Sequence, residues 1–357
     1  MVKTVCALNK IKFDFRRSRM KRLSMIVIVG LLLVGLLTAC GGGDSEPAAS
    51  SGGSVAAAPE SAPNTLTAVK VDATSLDMNA AYWADAPVLS VDTQAAVDGN
   101  PDGPIVKMQA VYDGQYLVIR SEWADETESV MKSAWTWDGT AFTKANNEDR
   151  IMMTWPIGNN AEFASKGCAA ACHNSSENQD KWWMGSDDAA VRYDAWQWKA
   201  ARTNPVGYTD DKWWGMLEDA AVVDSSRHGD AKDSGGETSN VNDDKSGPAY
   251  MNGGDLSASF ILQGEEVAID TAALSAGDVV PGYLLAKAVG SRGDVEATGV
   301  WSDGVWVVVQ RRLLNTGHDD DIVFTPPKPA PFGMSVVDNG GGLPHTVAPE
   351  VLTLEWD

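Results

Sequence analysis

The sequence predicts a mainly β protein built as an antiparallel β-sandwich with connecting loops and short helices. Three observations carry this. Apolar residues alternate with polar ones over short runs, tight Asp-Gly turns separate several of those runs, and no long stretch keeps a helical period.

The elements follow in order from Leu66. Ile105 to Tyr112 and Gln115 to Trp123 flank Asp113-Gly114, which predicts a hairpin. Ala134-Trp135-Thr136-Trp137 and Ala141-Phe142-Thr143 flank a second Asp-Gly at 138–139. Arg150 to Ile157 reads as another strand. Val295 to Trp301 and Val305 to Leu314 flank Ser302-Asp303-Gly304 as a third hairpin. Val347 to Trp356 reads as the last strand. Between about 218 and 247 the chain is rich in Asp, Ser, Gly, Asn and Lys. That stretch reads as a polar surface insertion, with His228 solvated inside it.

Composition bounds the function. The chain has 357 residues, 44% hydrophobic and 22% charged, enough to bury a large core. Tryptophan is over-represented, 14 against 7 Phe and 7 Tyr, which points to a core or pocket walled by large flat rings. Net charge is −21, and without residues 1–39 it becomes −28, from 20 basic and 48 acidic side chains. So acidic a body repels phosphate backbones and anionic lipid, so nucleic acid is not expected as a partner.

Membrane association must then come from an anchor. Residues 20–40 run from Met20-Lys21-Arg22 through an apolar stretch to Leu37-Thr38-Ala39-Cys40. A basic start, an apolar run and small residues before a cysteine are the pattern of a secretory signal. The last four residues resemble a bacterial lipobox, which implies a lipid on Cys40. The apolar run Met25 to Leu37 is 13 residues, short of the roughly 20 that span a bilayer. The expected organisation is a signal peptide at 1–39, whose true start is open between Met1 and Met20. A lipidated Cys40 and a flexible Gly/Ser/Ala/Pro tether follow to residue 65, then a folded domain at 66–357. This places the domain at the extracytoplasmic face of the cell membrane.

Two cysteines remain for that domain, Cys168 and Cys172, in Gly167-Cys168-Ala169-Ala170-Ala171-Cys172-His173. Cys-x-x-Cys-His is the covalent haem attachment pattern, and this stretch is one residue longer. In that chemistry the thiols add to the haem and the adjacent His reaches the iron. Two other readings stay open: a Cys168–Cys172 disulfide, or a zinc ligand set with His173, awkward because no second Cys/His pair accompanies it. Trp182, Trp183, Trp196, Trp198, Trp213 and Trp214 lie within about forty residues of His173 and could wall a flat macrocycle or simply form a core.

Several segments together resemble the ethylbenzene dehydrogenase-related haem-binding domain. They are Tyr82-Trp83-Ala84-Asp85-Ala86-Pro87, Ala110-Val111-Tyr112-Asp113-Gly114, Arg120-Ser121-Glu122-Trp123, Glu148-Asp149-Arg150, Tyr193-Asp194-Ala195-Trp196-Gln197-Trp198-Lys199, Val305 to Leu313, and Asp338-Asn339-Gly340-Gly341. The resemblance implies a sandwich related to carbohydrate-binding modules that holds one haem and accompanies molybdenum enzymes of the dimethyl sulfoxide reductase group. Haem b members of that family ligate iron with a Met just before the Trp-x-Trp-Lys segment and a Lys near the last strand. Here the Cys/His segment occupies the first neighbourhood and Leu343-Pro344-His345 the second, so the resemblance implies His173 and His345 as iron ligands of one covalent haem c. Met184 is the rival to His345, with Met152, Met153 and His318 behind it. Trp196 and Trp198 are expected beside the cofactor.

The function expected is an extracytoplasmic c-type cytochrome that exchanges single electrons with a redox protein or a molybdenum enzyme subunit and carries no catalytic residues of its own. The alternatives are a haem-free carbohydrate- or ligand-binding lipoprotein with a Cys168–Cys172 disulfide, and a haem-based sensor. Asp319, Asp320 and Asp321 could attract calcium, but consecutive acids diverge, so they read as a solvated turn.

Overall fold

The computed structural model describes residues 58–357 apart from 159, 168–169, 172–182, 187, 219–224 and 341–344. The predicted signal peptide, Cys40, most of the tether, Cys168, Cys172, His173 and Trp182 lie outside the described residues.

The first half of the domain carries β1 (Thr65–Lys70), β2 (Leu89–Asp92), β3 (Gln94–Ala95), β4 (Ile105–Tyr112), β5 (Tyr116–Ala124), β6 (Ala134–Trp137), β7 (Phe142–Ala145), β8 (Glu148–Ile157), β9 (Arg192–Lys199), β10 (Asp210–Trp214) and β11 (Arg227–Gly229). Helix α1 (Ala161–Lys166) follows β8. The second half carries β12 (Ser234–Ser239), β13 (Tyr250–Asn252), β14 (Ile261–Leu262), β15 (Glu266–Ala268), β16 (Val279–Val280), β17 (Tyr283–Val289), β18 (Glu296–Ser302), β19 (Val305–Leu313), β20 (Ala330–Gly340), β21 (Thr346–Val347) and β22 (Leu352–Trp356).

All three predicted hairpins form, as β4–β5, β6–β7 and β18–β19. In the last, Asp303 and Gly304 both take positive φ, 52° and 79°, the twist that a two-residue turn between right-twisted strands requires. The main path of the large sheet is β11-β10-β9-β8-β20-β22-β1-β4-β5-β19-β18. A bridge between Tyr208, just before β10, and Glu296 of β18 brings the two halves of the path together, so the sheet curls on itself. Pairing along this path is antiparallel except at β1, which runs parallel to both β22 and β4.

Alternation then decides what lies between the halves. Trp123 of β5 and Trp306 of β19 come from one side. Trp155 of β8 and Trp196 and Trp198 of β9 come from the other, all in one buried cluster. Trp306 meets Trp198 edge-on at 5.1 Å, and Trp155 meets Trp196 at 5.4 Å. The tryptophan excess is therefore largely a core. Its buried rings also hold the polar edge of that core: Trp306 Nε1 donates to Asp149 Oδ2 at 3.0 Å.

Three expectations need revision. Residues before Leu66 already bond to the folded domain, because Ser61 N donates to Val88 O and Val88 N to Pro59 O. The predicted final strand is two strands, β21 and β22, interrupted around Pro349, which has no N–H to give to a ladder. The polar stretch at about 218–247 is not merely a surface loop. Its described part contains β11 and β12, and Ser226, Asp230 and Asn240 are buried in it. Asn240 substitutes for apolar burial by bonding Tyr250 O and Pro281 O and accepting from Ala249 N and Tyr250 N. His228 is correspondingly not a solvated loop residue; its ring stacks on Trp213 at 4.0 Å.

Candidate functional site

The outer face of β8, β9, β10 and β20 carries a cavity of about 440 Å³. That volume lies in the roughly 300–1,000 Å³ range of small-molecule and cofactor sites. Period-two alternation selects its lining. Arg150 and Met152 of β8, Ala195 and Gln197 of β9, Lys212 and Trp214 of β10, and Ser335 and Val337 of β20 turn toward it. Their chain neighbours Ile151, Met153, Trp196, Trp198, Met334 and Val336 turn into the core. Register aligns the rows, with Met152 opposite both Gln197 and Ser335.

Loops complete the rim with Lys132, Met184, Arg227 and His345. Met184 O accepts from Ser226 Oγ, Gly185 N donates to Ala171 O at 2.7 Å, and Ser186 N donates to Gly215 O at 2.9 Å, so this loop is tied to β10 and to the alanine segment. Ala170 and Ala171 pack with Met152, Phe163, Tyr193, Ala195 and Trp214 in one buried cluster that Met184 joins. Asn160 caps α1 through Phe163 N and also donates to the Tyr193 hydroxyl, which holds the helix before the Cys segment against β9.

The cavity's charge opposes that of the whole protein. Lys132, Arg150, Lys212 and Arg227 line it, and none of the described lining residues is acidic. Their counter-charges stand just behind. Glu148, fully buried, lies 3.5 Å from Arg150, and Asp210 lies 3.1 Å from Lys212. Lys132 Nζ and Arg150 Nη2 share Asn147 Oδ1. Burial, with the nearby guanidinium of Arg150, lowers the Lys132 ammonium below its ordinary range, and burial likewise lowers Arg150. An anionic group in the cavity would relieve both.

The sequence-predicted residues separate clearly. Met184 and His345 share this cavity, with Met152. Met153 belongs to the core, and His318 is exposed on the loop after β19. Trp196 and Trp198, expected beside the cofactor, are instead fully buried core residues on the opposite face of β9 from Ala195 and Gln197. The lining cations were not anticipated. The alternation of Arg150 and Met152 with Ile151 and Met153 is the signal that held two of the lining residues.

His345 also borders a second cavity, of about 710 Å³, lined by Asp125, Glu126 and Asp338. It is larger but acidic and holds no methionine among its described lining residues. Burial, with repulsion from Asp149 and Asp338, raises the Asp125 carboxyl to about 6. An unfolded Asp titrates near 3.9, so the stability Asp125 contributes is fully present below about pH 4 and is lost as pH rises through about 6. Asp125→Asn keeps the uncharged shape. Urea titrations should find it gaining on the wild type by on the order of 1–3 kcal/mol between about pH 4 and pH 7. A difference that is flat with pH would refute this.

A third polar centre lies at the core edge. Asp194, Asp211, Asp230 and Asp321 are buried together with Arg312. Burial raises the carboxyls of Asp211 and Asp230 well above the usual range, and neighbouring carboxylates add to it.

Comparison with known proteins gives one family match. The family described as ethylbenzene dehydrogenase matches residues 80–343. No curated protein matches the sequence. Among solved structures, the chain is similar to a carbohydrate-binding protein from Bacteroides uniformis, so described, at 10% identity and a TM-score of 0.37, covering 82% of this chain and 99% of that one. It is also similar to a family 9 carbohydrate-binding module from Caldicellulosiruptor kristjanssonii in complex with cellotriose, at 7% identity and a TM-score of 0.31, covering 82% and 93%. Likeness at this level says nothing about what this chain binds.

Proposed function

Because the chain belongs to the ethylbenzene dehydrogenase family, we propose that it is a haem-carrying electron-transfer subunit, a c-type cytochrome exchanging single electrons with a redox protein such as a molybdenum oxidoreductase. The observation that carries this reading is the convergence of Met184, His345 and Met152 on one cavity beside Ala170 and Ala171. Those alanines are the described residues between Cys168 and Cys172.

The residues present suit the group. Imidazole nitrogen and thioether sulfur are haem-iron ligands. Trp214, Met152 and Val337 offer apolar wall, and Lys132, Arg150, Lys212 and Arg227 suit the two carboxylates that a haem carries. Haem bound there would supply one-electron redox chemistry. Cys168 and Cys172 would hold it covalently, His173 and His345 would ligate it, and Met184 is the alternative to His345. Lipid on Cys40 would keep the domain at the extracytoplasmic face of the membrane, near its partner.

The test is spectroscopic. The full chain would be produced in a host that matures c-type cytochromes, and oxidised, reduced and alkaline-pyridine spectra recorded. The expected result is haem that survives acid–acetone extraction and gives sharp low-spin bands on reduction. Cys168→Ser with Cys172→Ser should abolish that retention. His345→Ala should convert the spectrum to high spin while Met184→Leu leaves it unchanged; the reverse pattern would assign the ligand to Met184. A colourless, folded protein without free thiols would overturn the proposal and leave a disulfide-bearing binding module.

A further inference from the structure

The carboxylates at the core edge come from separate parts of the fold. Asp194 is on β9, Asp211 on β10, Asp230 follows β11, and Asp320 and Asp321 lie in the loop after β19. One oxygen from each of Asp194, Asp211 and Asp321 falls within 4.8 Å of the others, and the same holds for Asp230, Asp320 and Asp321. Asp321 therefore joins two carboxylate triads.

Their hydrogen bonding is incomplete in one direction. Asp194 Oδ2 accepts from Arg312 Nη1 at 2.6 Å and Ile322 N at 3.0 Å, while its Oδ1 has no partner. Asp211 Oδ1 accepts from Lys212 N and Asp321 Oδ2 from Thr316 Oγ1, and again the second oxygen of each has none. Asp230 is 3% exposed and neither of its oxygens has a hydrogen-bond partner. Asp294 stands beside this group with both oxygens buried, its carboxyl facing that of Asp211. Buried polar atoms are rarely left unmatched, and a buried carboxylate without a counter-charge is strongly unfavourable. Arg312 supplies one positive charge against this set.

We propose that these carboxylates bind a divalent cation, calcium by chemical class, with protein ligands drawn from the two triads that share Asp321: Asp194 and Asp211 on one side, Asp230 and Asp320 on the other. The donors are all oxygen and hard, which excludes the nitrogen and sulfur sets that zinc selects. Calcium accepts six to eight oxygens at about 2.3–2.6 Å in irregular arrangements, whereas magnesium demands near-octahedral geometry and keeps its waters. The ligands come from two strands, the residue just after a third, and a loop. The ion would therefore staple β9, β10, the start of the polar insertion and the 315–324 segment together. This site lies on the core side of β9, opposite the cavity, so it does not depend on whether that cavity holds haem.

The experiment uses the full chain, stripped with chelator and titrated with calcium chloride, with magnesium chloride in parallel. The expected result is saturable binding by calorimetry, metal retained on gel filtration by elemental analysis, and a melting temperature that rises with calcium and far less with magnesium. Asp230→Asn should weaken calcium binding by roughly tenfold or more, in proportion to the lost ligand charge. Asp321→Asn should do the same, and serves if Asp230→Asn does not fold. Stripped protein that neither binds calcium at millimolar concentration nor changes its melting temperature would overturn the proposal. So would Asp230→Asn and Asp321→Asn that fold and bind calcium as the wild type does.

Discussion

Arg312→Met is expected to lose about 3–5 kcal/mol of stability, the loss typical of removing one partner from a buried charge pair. Arg312 is completely buried. It donates Nη1 to Asp194 Oδ2 and Nη2 to the Ile322 carbonyl, and its guanidinium lies 4.9 Å from the Trp196 ring and 5.5 Å from Phe324. Methionine replaces much of the volume but strands Asp194 beside Asp211 and Asp321. Those carboxylates hold the guanidinium's proton more firmly than usual, against the opposing effect of burial. Urea denaturation in chelator should show the midpoint falling with the slope unchanged. Arg312→Lys should fall between, since an ammonium keeps the charge but not the planar fork. Adding Asp194→Asn to Arg312→Met should recover part of the loss, because the second change removes the charge the first left unpaired. Full additivity of the two would refute the coupling.

What was legible in the sequence follows from the range of each interaction. Hairpins are local, so Asp113-Gly114 and Ser302-Asp303-Gly304 announced them, and the alternation of β4, β5, β8 and β19 announced a sandwich. Closure of the curled sheet was not legible. It rests on partners such as Tyr208 and Glu296, or Thr65 and Thr353, far apart in the chain. The polar insertion was misread for a related reason. Asn240 and Asp230 are buried through hydrogen bonding and charge, and composition alone counts such residues as surface. The same holds for Asp321, which the run of three acids hides as a turn although it is buried.

The cavity shows both outcomes on single strands. In β8 the sequence Arg150-Ile-Met-Met alternates between cavity and core, so Met152 and Met153, adjacent and chemically alike, have different fates. In β9 aromatic content suggested that Trp196 and Trp198 face a cofactor, but the period of two turns Ala195 and Gln197 to the cavity and both rings to the core. The cations were invisible because net charge averages over the surface. An acidic body can still concentrate Lys132, Arg150, Lys212 and Arg227 at one site when Glu148 and Asp210 are buried behind them. That arrangement favours an anionic occupant inside a protein whose exterior steers toward basic partners.

Trp198→Ala tests this division between core and cavity with a comparably large effect. Trp198 is fully buried, edge-on to Trp123 at 6.3 Å and Trp306 at 5.1 Å. Truncating a buried tryptophan removes about 3–5 kcal/mol of stability, because the surrounding rings close the space only partly. The room for relaxation is small here. Gly299 of β18 packs directly on the indole, and a Cβ at that position would stand 2.3 Å from Trp198 Cζ2. Asn204 holds the glycine in place by accepting from its N–H at 2.7 Å and donating to its carbonyl at 3.0 Å. Gly299→Ala should therefore lose about 1–3 kcal/mol by overpacking, and much less in a Trp198→Ala background, where the added methyl enters the vacated space. Because Trp198 points away from Ala195 and Gln197, the spectrum of any group held in the cavity should be unchanged in the folded variant. If Trp198→Ala instead shifts that spectrum while the denaturation midpoint barely moves, the ring walls the cofactor and its assignment to the core is wrong.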